Sequence, residues 1–209
     1  MDYSFFALMF RQRYIRRWGL MRNVNEENLS EHCSETVLLT HALALIGNSI
    51  FKKNYDTGRA ALLALYHDAP EVLTGDLPTP VKYHNEDIRA AYAEIEKSAY
   101  DMLLSALPPE IRGEYSEIFG RGGEGDGELN VLVHAADKLC AYIKCIEEEK
   151  SGNAEFRSAK ASTETALKKL DCPELRWFEE HLLPAFARTL DENTPPQPQI
   201  SISANDISE

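Results

Sequence analysis

Apolar residues recur along this chain at helical rather than strand spacing. Residues 3–14 form a short amphipathic segment, and IRRWGLMRNVNEEN after it has no steady period and reads as a structured loop. A helix then begins near Ser30, a residue type that caps helix starts. His32, Thr36, Leu39, Leu43 and Ile46 share one of its faces. The next predicted helix, 57–73, contains ALLALYHDAPEVL. Pro70 within it cannot donate to the carbonyl of Tyr66, which predicts a kink or the start of fraying. GDLPTP then ends helical structure, because Pro78 and Pro80 push the residues before them towards extended backbone. Helix resumes over 85–107 with Ile88, Tyr92, Ile95, Ala99, Met102 and Leu103 inward, and Pro108-Pro109 starts a shorter one to about 119. GRGGEGDG at 120–127 reads as a flexible loop. A strong helix follows over 128–150, with Val133, Asp137, Cys140, Ala141 and Lys144 on or near one stripe, and two more cover 154–170 and 173–190. The pattern is all-α, one helical bundle over residues 1–190 with no internal repeat.

The last 19 residues, DENTPPQPQISISANDISE, hold three prolines and four acids and no Lys, Arg or aromatic residue, so 191–209 is predicted to be a disordered acidic tail. A chain of 209 residues suffices for one domain with a sizeable core. The net charge of −12 argues against binding a nucleic-acid polymer, while leaving room for a small anion held by a few focused arginines. FFALMF is too short for the apolar part of a signal peptide, and no apolar run approaches membrane-span length. Cys33, Cys140, Cys145 and Cys172 form no CxxC pair and read as reduced core residues of a cytoplasmic protein.

Three otherwise apolar helix faces are interrupted by metal-ligand residue types: His32, the pair His67-Asp68, and Asp137. The intervals are 35 residues from His32 to His67 and 69 from Asp68 to Asp137, so the ligands come from separate helices, as in metal sites built inside helical bundles. Imidazole and carboxylate on a buried face are expensive to desolvate unless a cation sits between them. Two imidazoles and two carboxylates without a thiolate suit one divalent transition ion, Mn, Co, Zn, Fe or Ni. Taken singly, each is an ordinary residue: His32 a capping or core histidine, Asp137 a solvated or paired acid. His41, His84, His134 and His181 lack such company. Glu71 lies one helical turn beyond His67 and projects towards the same place, where a carboxylate can take a proton from an attacking water without being a ligand.

The H…HD…D pattern resembles that of the HD-domain superfamily of metal-dependent phosphohydrolases. RRWGLMRNV at 16–24, ENLSEHC at 27–33, HDAPEVLTGDLPTPVKY at 67–83 and ADKLCAYIKCIEE at 136–148 look more specifically like the bacterial 5′-deoxynucleotidases, over residues 5–190. Gly19, Pro70 and the glycine-rich loop depart from that pattern without touching a ligand. The resemblance implies an HD-domain bundle, a homodimer, and hydrolysis of deoxyribonucleoside 5′-monophosphates with selectivity for deoxyribose and tolerance of base. A phosphate needs a cation, and among Arg16, Arg17 and Arg22 the resemblance favours Arg17. It places Trp18 against the sugar, where its bulk crowds a 2′-hydroxyl. Asp76 in the GDLPTP turn is assigned to the sugar 3′-hydroxyl or a water near the ion, with Thr79 in either role. Other readings are an HD phosphohydrolase for a triphosphate, cyclic nucleotide or alarmone, a di-iron oxygenase requiring His84 as an extra ligand, and a non-enzymatic HD interaction module.

Overall fold

A computed structural model describes residues 2–82, 84–119 and 126–195. The helices are α1 (Phe5–Met9), α2 (Leu29–Ser49), α3 (Thr57–Tyr66), α4 (Glu71–Thr74), α5 (Thr79–Lys82), α6 (Glu86–Ser105), α7 (Pro109–Ile118), α8 (Gly127–Lys150), α9 (Arg157–Lys168), α10 (Pro173–His181) and α11 (Leu190–Asn193). Among the described residues the one β-type pairing is an isolated bridge between Arg16 and Asn28. The all-α reading is therefore correct. α2 packs against α3 and α8 around Leu43, Ala44, Leu63, Ala64, Leu132, Ala136 and Leu139, and α9 and α10 close this core through Leu167, Leu175 and Phe178. A second cluster joins α1 to α6 through Phe5, Met9, Leu103, Leu107 and Phe119.

Several predicted boundaries shift for local reasons. α2 is capped by Asn28 rather than Ser30: the Asn28 side chain accepts from the backbone N–H groups of Ser30 (3.0 Å) and Glu31 (3.1 Å), while the Glu31 carboxylate accepts from the Asn28 N–H. The HD helix stops at Tyr66, and His67–Pro70 form a turn instead of a fourth and fifth helical turn. The missing N–H of Pro70 is tolerated there because Pro70 caps the new helix α4. Gly75 ends α4 with φ of 74°, a conformation that glycine adopts without a Cβ penalty. Ile95 and Met102 are exposed, not inward; on α6 they sit about 60–80° round from the stripe of Tyr92, Ala99 and Leu103. The predicted helix 173–190 breaks at Leu182, before Pro184, and continues as a 3₁₀ turn, Leu183–Ala187. The start of the predicted tail is ordered as α11, with Thr189 and Glu192 forming its capping box. The rest of the tail, 196–209, and most of the glycine-rich loop, 120–125, lie outside the described residues. All four cysteines are buried and unpaired.

The loop between α1 and α2 is fixed from below by Glu148 of α8, which is fully buried. Its carboxylate accepts from the backbone N–H groups of Val24 (2.9 Å) and Asn25 (3.0 Å), from Lys144 Nζ and from Asn153 Nδ2 (2.7 Å). Burial raises its proton affinity, but these donors more than offset that and hold the carboxyl at about 2. A depressed carboxyl contributes stability that is present above its unfolded value and lost as pH falls towards 2. Glu148→Ala leaves the buried Lys144 ammonium with the Asn25 carbonyl but no counter-charge, and takes the acceptor from the Val24 and Asn25 N–H groups; it should cost about 3–5 kcal/mol in chemical denaturation of the metal-free protein. A loss below about 1 kcal/mol would show that the loop is held elsewhere.

Candidate functional site

Two helices, α2 and α8, and the turn that follows α3 converge on one site. The first turn of α2 brings His32, fully buried; the turn after α3 brings His67 and Asp68; the middle of α8 brings Asp137. One ligand atom from each of these four lies within 4.8 Å of the others, and among the described residues this is the one such group of His, Cys, Asp or Glu. His32 Nε2 is 3.2 Å from Asp137 Oδ1 and 3.5 Å from Asp68 Oδ2, and His67 Nε2 is 3.1 Å from Asp68 Oδ2. Neither nitrogen makes a hydrogen bond among the described residues, although both are buried. Lone pairs brought this close without donor–acceptor alignment point at a shared position, and a divalent cation fits it.

The ring of His67 is set for that role. Its Nδ1 lies 2.7 Å from the Ala64 carbonyl, which can only accept, so Nδ1 keeps its proton and the one the imidazolium can lose is on Nε2, facing the cluster. Tyr100 also fixes the turn by donating to the His67 carbonyl. Burial alone lowers the imidazole's proton affinity, but the adjoining Asp68 charge, with Asp137, pushes it up to about 9. Asp68 and Asp137 are held well below the ordinary carboxylate range; burial opposes this, and the two imidazoles and Lys138 outweigh it. Were a divalent ion to bind there, a proton would have to leave His67. Affinity for the ion should fall about tenfold per pH unit as pH drops below 9, read by competition with a chelating dye. A pH-independent affinity would contradict this.

Glu71, the first residue of α4, is buried, and its Oε2 has no hydrogen-bond partner among the described residues. Burial, together with the charges of Asp68 and Asp76, pushes its carboxyl up to about 9. The predicted acid–base residue therefore stands beside the cluster with a raised proton affinity, despite the broken helix. Arg17 Nη1 approaches Asp68 Oδ2 at 3.8 Å. Burial opposes its charge, yet Glu27, Asp76, Asp137 and Asp68 together raise the guanidinium further above its ordinary value. Asp76 is half-buried, and its carboxyl is raised chiefly by that burial, with Arg17 acting against it. Thr79 opens α5 and is exposed; among the described residues no hydrogen bond or ion pair ties it to the cluster. His84 is exposed as well, away from the role a second ion would require.

Trp18 adopts φ of 57°, a left-handed conformation that costs a bulky residue about 1–3 kcal/mol. Its ring lies 5.3 Å from that of Phe156, and its Nε1 donates to Glu27 Oε2 at 2.9 Å. Glu27 Oε1 accepts from Arg17 Nε at 3.0 Å and stands 3.5 Å from His32 Nδ1. Sequence pattern assigns Glu27 no role, since a single glutamate before a helix cap carries no signal of its own.

A family model described as 5′-deoxynucleotidase, YfbR-like, matches residues 4–186. The chain belongs to the YfbR-like 5′-deoxynucleotidase family. Relatives in this family named 5′-deoxynucleotidase include proteins of Erwinia tasmaniensis, 47% identical over 188 residues that span 90% of this chain and 94% of the relative, and of Pectobacterium atrosepticum, 45% identical over 93% and 97%. Among solved structures, an HD-domain phosphohydrolase from Listeria innocua superposes with a TM-score of 0.75 at 20% identity, covering 88% of each chain. The cyanophage S-2L HD phosphohydrolase, solved with dA and one catalytic Zn2+ ion, gives 0.64 at 21% identity over 85% of this chain and 95% of that one. These likenesses establish the HD phosphohydrolase fold, and the family makes this chain a hydrolase.

Proposed function

We propose that the chain hydrolyses deoxyribonucleoside 5′-monophosphates to deoxynucleoside and phosphate with one divalent transition ion held by His32, His67, Asp68 and Asp137. The observation that carries this reading is the convergence of those four side chains with both imidazole Nε2 atoms left unbonded. When bound, such an ion polarises a phosphoryl oxygen and acidifies water. Arg17 grips the phosphate with the donors that Glu27 leaves over, which orients phosphorus towards the cluster. Water attacks phosphorus while Glu71 takes its proton at the buried Oε2. That proton passes to the 5′-oxygen as the P–O bond breaks, so the leaving group departs as a neutral hydroxyl. In the ion-free site burial and the charges of Asp68 and Asp76 keep this carboxyl protonated; a cation at the cluster would offset those charges and free it to accept the proton and return it.

Trp18 stands against the sugar and crowds a 2′-hydroxyl, with Asp76 on the 3′-hydroxyl and Thr79 at the outer edge. An apolar wall rejects an added hydroxyl by about two decades at most, so Trp18→Ala should narrow the ratio of deoxy- to ribonucleotide kcat/KM by up to that amount. An unchanged ratio in paired kinetics would remove Trp18 from sugar selection. The four unpaired thiols fit a reducing cytoplasm, and no helix among the described residues is long and apolar enough to cross a membrane. Leu38 and Leu45 on α2 and Leu62 and Leu65 on α3 are exposed apolar residues that a second copy could cover in a homodimer.

The reaction is tested with metal-stripped protein, given Mn, Co, Zn or Mg and a panel of deoxy- and ribonucleoside monophosphates. Phosphate release that requires added ion, is abolished by chelator and favours deoxyribose supports the proposal. Equal release without any ion would overturn it.

A further inference from the structure

We infer that Glu27 is a positioning residue whose single carboxylate fixes both halves of the substrate grip, Arg17 for phosphate and Trp18 for sugar. The inference rests on the substrate roles proposed above for those two residues. Each oxygen has its own charge: Oε1 accepts from Arg17 Nε at 3.0 Å, and Oε2 accepts from Trp18 Nε1 at 2.9 Å. The backbone repeats the link, since the Arg17 N–H donates to the Glu27 carbonyl at 3.0 Å.

Three features make this more than a surface ion pair. Arg17 and Glu27 side chains are each only 11% exposed, so the contact is little screened by water. Bonding at Nε uses the inner edge of the guanidinium and leaves both terminal nitrogens without a hydrogen bond among the described residues, Nη1 standing 3.8 Å from Asp68 Oδ2, where the pair can turn onto a phosphate. Trp18 holds a left-handed backbone, so its indole needs an anchor; Glu27 on one side and the Phe156 ring on the other supply it. A carboxylate is required because both partners are donors. An amide at this position offers one acceptor oxygen and turns an N–H group towards whichever donor it fails to serve.

The test uses Glu27→Gln, Arg17→Ala and Trp18→Phe with the ion loaded, measuring inhibition by inorganic phosphate and the deoxy-to-ribo ratio of kcat/KM. Glu27→Gln should weaken phosphate inhibition about tenfold and lower the sugar ratio about tenfold, both read at saturating ion because Glu27 Oε1 also stands 3.5 Å from His32 Nδ1. Each loss should disappear in the matching background: no further weakening of phosphate on top of Arg17→Ala, and no further fall in the ratio on top of Trp18→Phe. If Arg17→Ala weakens phosphate while Glu27→Gln moves neither readout, the positioning role is wrong and the substrate reading stands. If Arg17→Ala itself leaves phosphate inhibition unchanged, both fall together. A further arm needs no variant at Glu27: in the unsubstituted, metal-free protein the Trp18 indole N–H, assigned in NMR by its absence from Trp18→Phe, should exchange slowly with deuterium. Exchange as fast as that of free indole would overturn the inference.

Discussion

Asp68→Ala is expected to lower turnover by about four orders of magnitude or more and to remove most bound divalent ion. Asp68 is the carboxylate that meets both imidazoles, 3.5 Å from His32 Nε2 and 3.1 Å from His67 Nε2. Without it the cluster keeps one acid, Asp137, whose second oxygen is already held by Lys138 at 3.0 Å. Two neutral ligands and a part-neutralised one bind a hard divalent ion weakly. Asp68 also lies beside Arg17, so its removal loosens the guanidinium's aim as well as the ion. Phosphate release assayed with saturating metal, beside elemental analysis of the dialysed variant, measures both effects. Activity within tenfold of the parent protein would show that the ion, if any, is held elsewhere.

Glu71→Gln should lower kcat by about 10²–10⁴-fold while the protein still takes up its ion. The carboxyl is not among the four convergent ligands, and its Oε2 has no partner among the described residues, so the isosteric amide disturbs neither packing nor ligation. What it removes is the site that accepts and returns a proton. The sharper signature is the pH profile: an acid–base carboxyl leaves a limb in kcat that vanishes in the amide variant. An amide variant with a full kcat and the parent's pH profile would assign proton transfer to another group.

The convergent group was legible because a polar ligand type in an apolar helical pattern is conspicuous, as His32, His67, Asp68 and Asp137 are in the sequence, although His67 and Asp68 lie in the turn after α3. Helical periodicity also located α2, α6 and α8 to within a few residues. Local competition decided what it misread. Asn28 outbid Ser30 as the cap because Glu31 closes the reciprocal bond from the third helical position. Pro70 ended a helix and then began another, which kept Glu71 beside His67 and Asp68 by a route different from the one periodicity implied. Ile95 and Met102 lie at the margin of the apolar stripe of α6, about 60–80° round from its centre, past the edge of what packs against it. Glu27 and Glu148 were invisible for a different reason. Glu148 meets Val24 and Asn25, 124 and 123 residues away, and a lone glutamate carries no mark of such distant partners. Glu27 acts on residues only nine and ten positions earlier, but across an irregular loop where no period relates them.

That the four convergent side chains hold a single ion is tested most directly by titrating metal-stripped protein with Mn by calorimetry, beside the Asp137→Ala variant. Binding of about one equivalent per chain that is lost or weakened at least about a hundredfold in the variant is the expected result. No binding by the unsubstituted protein, or undiminished binding by Asp137→Ala, would contradict it.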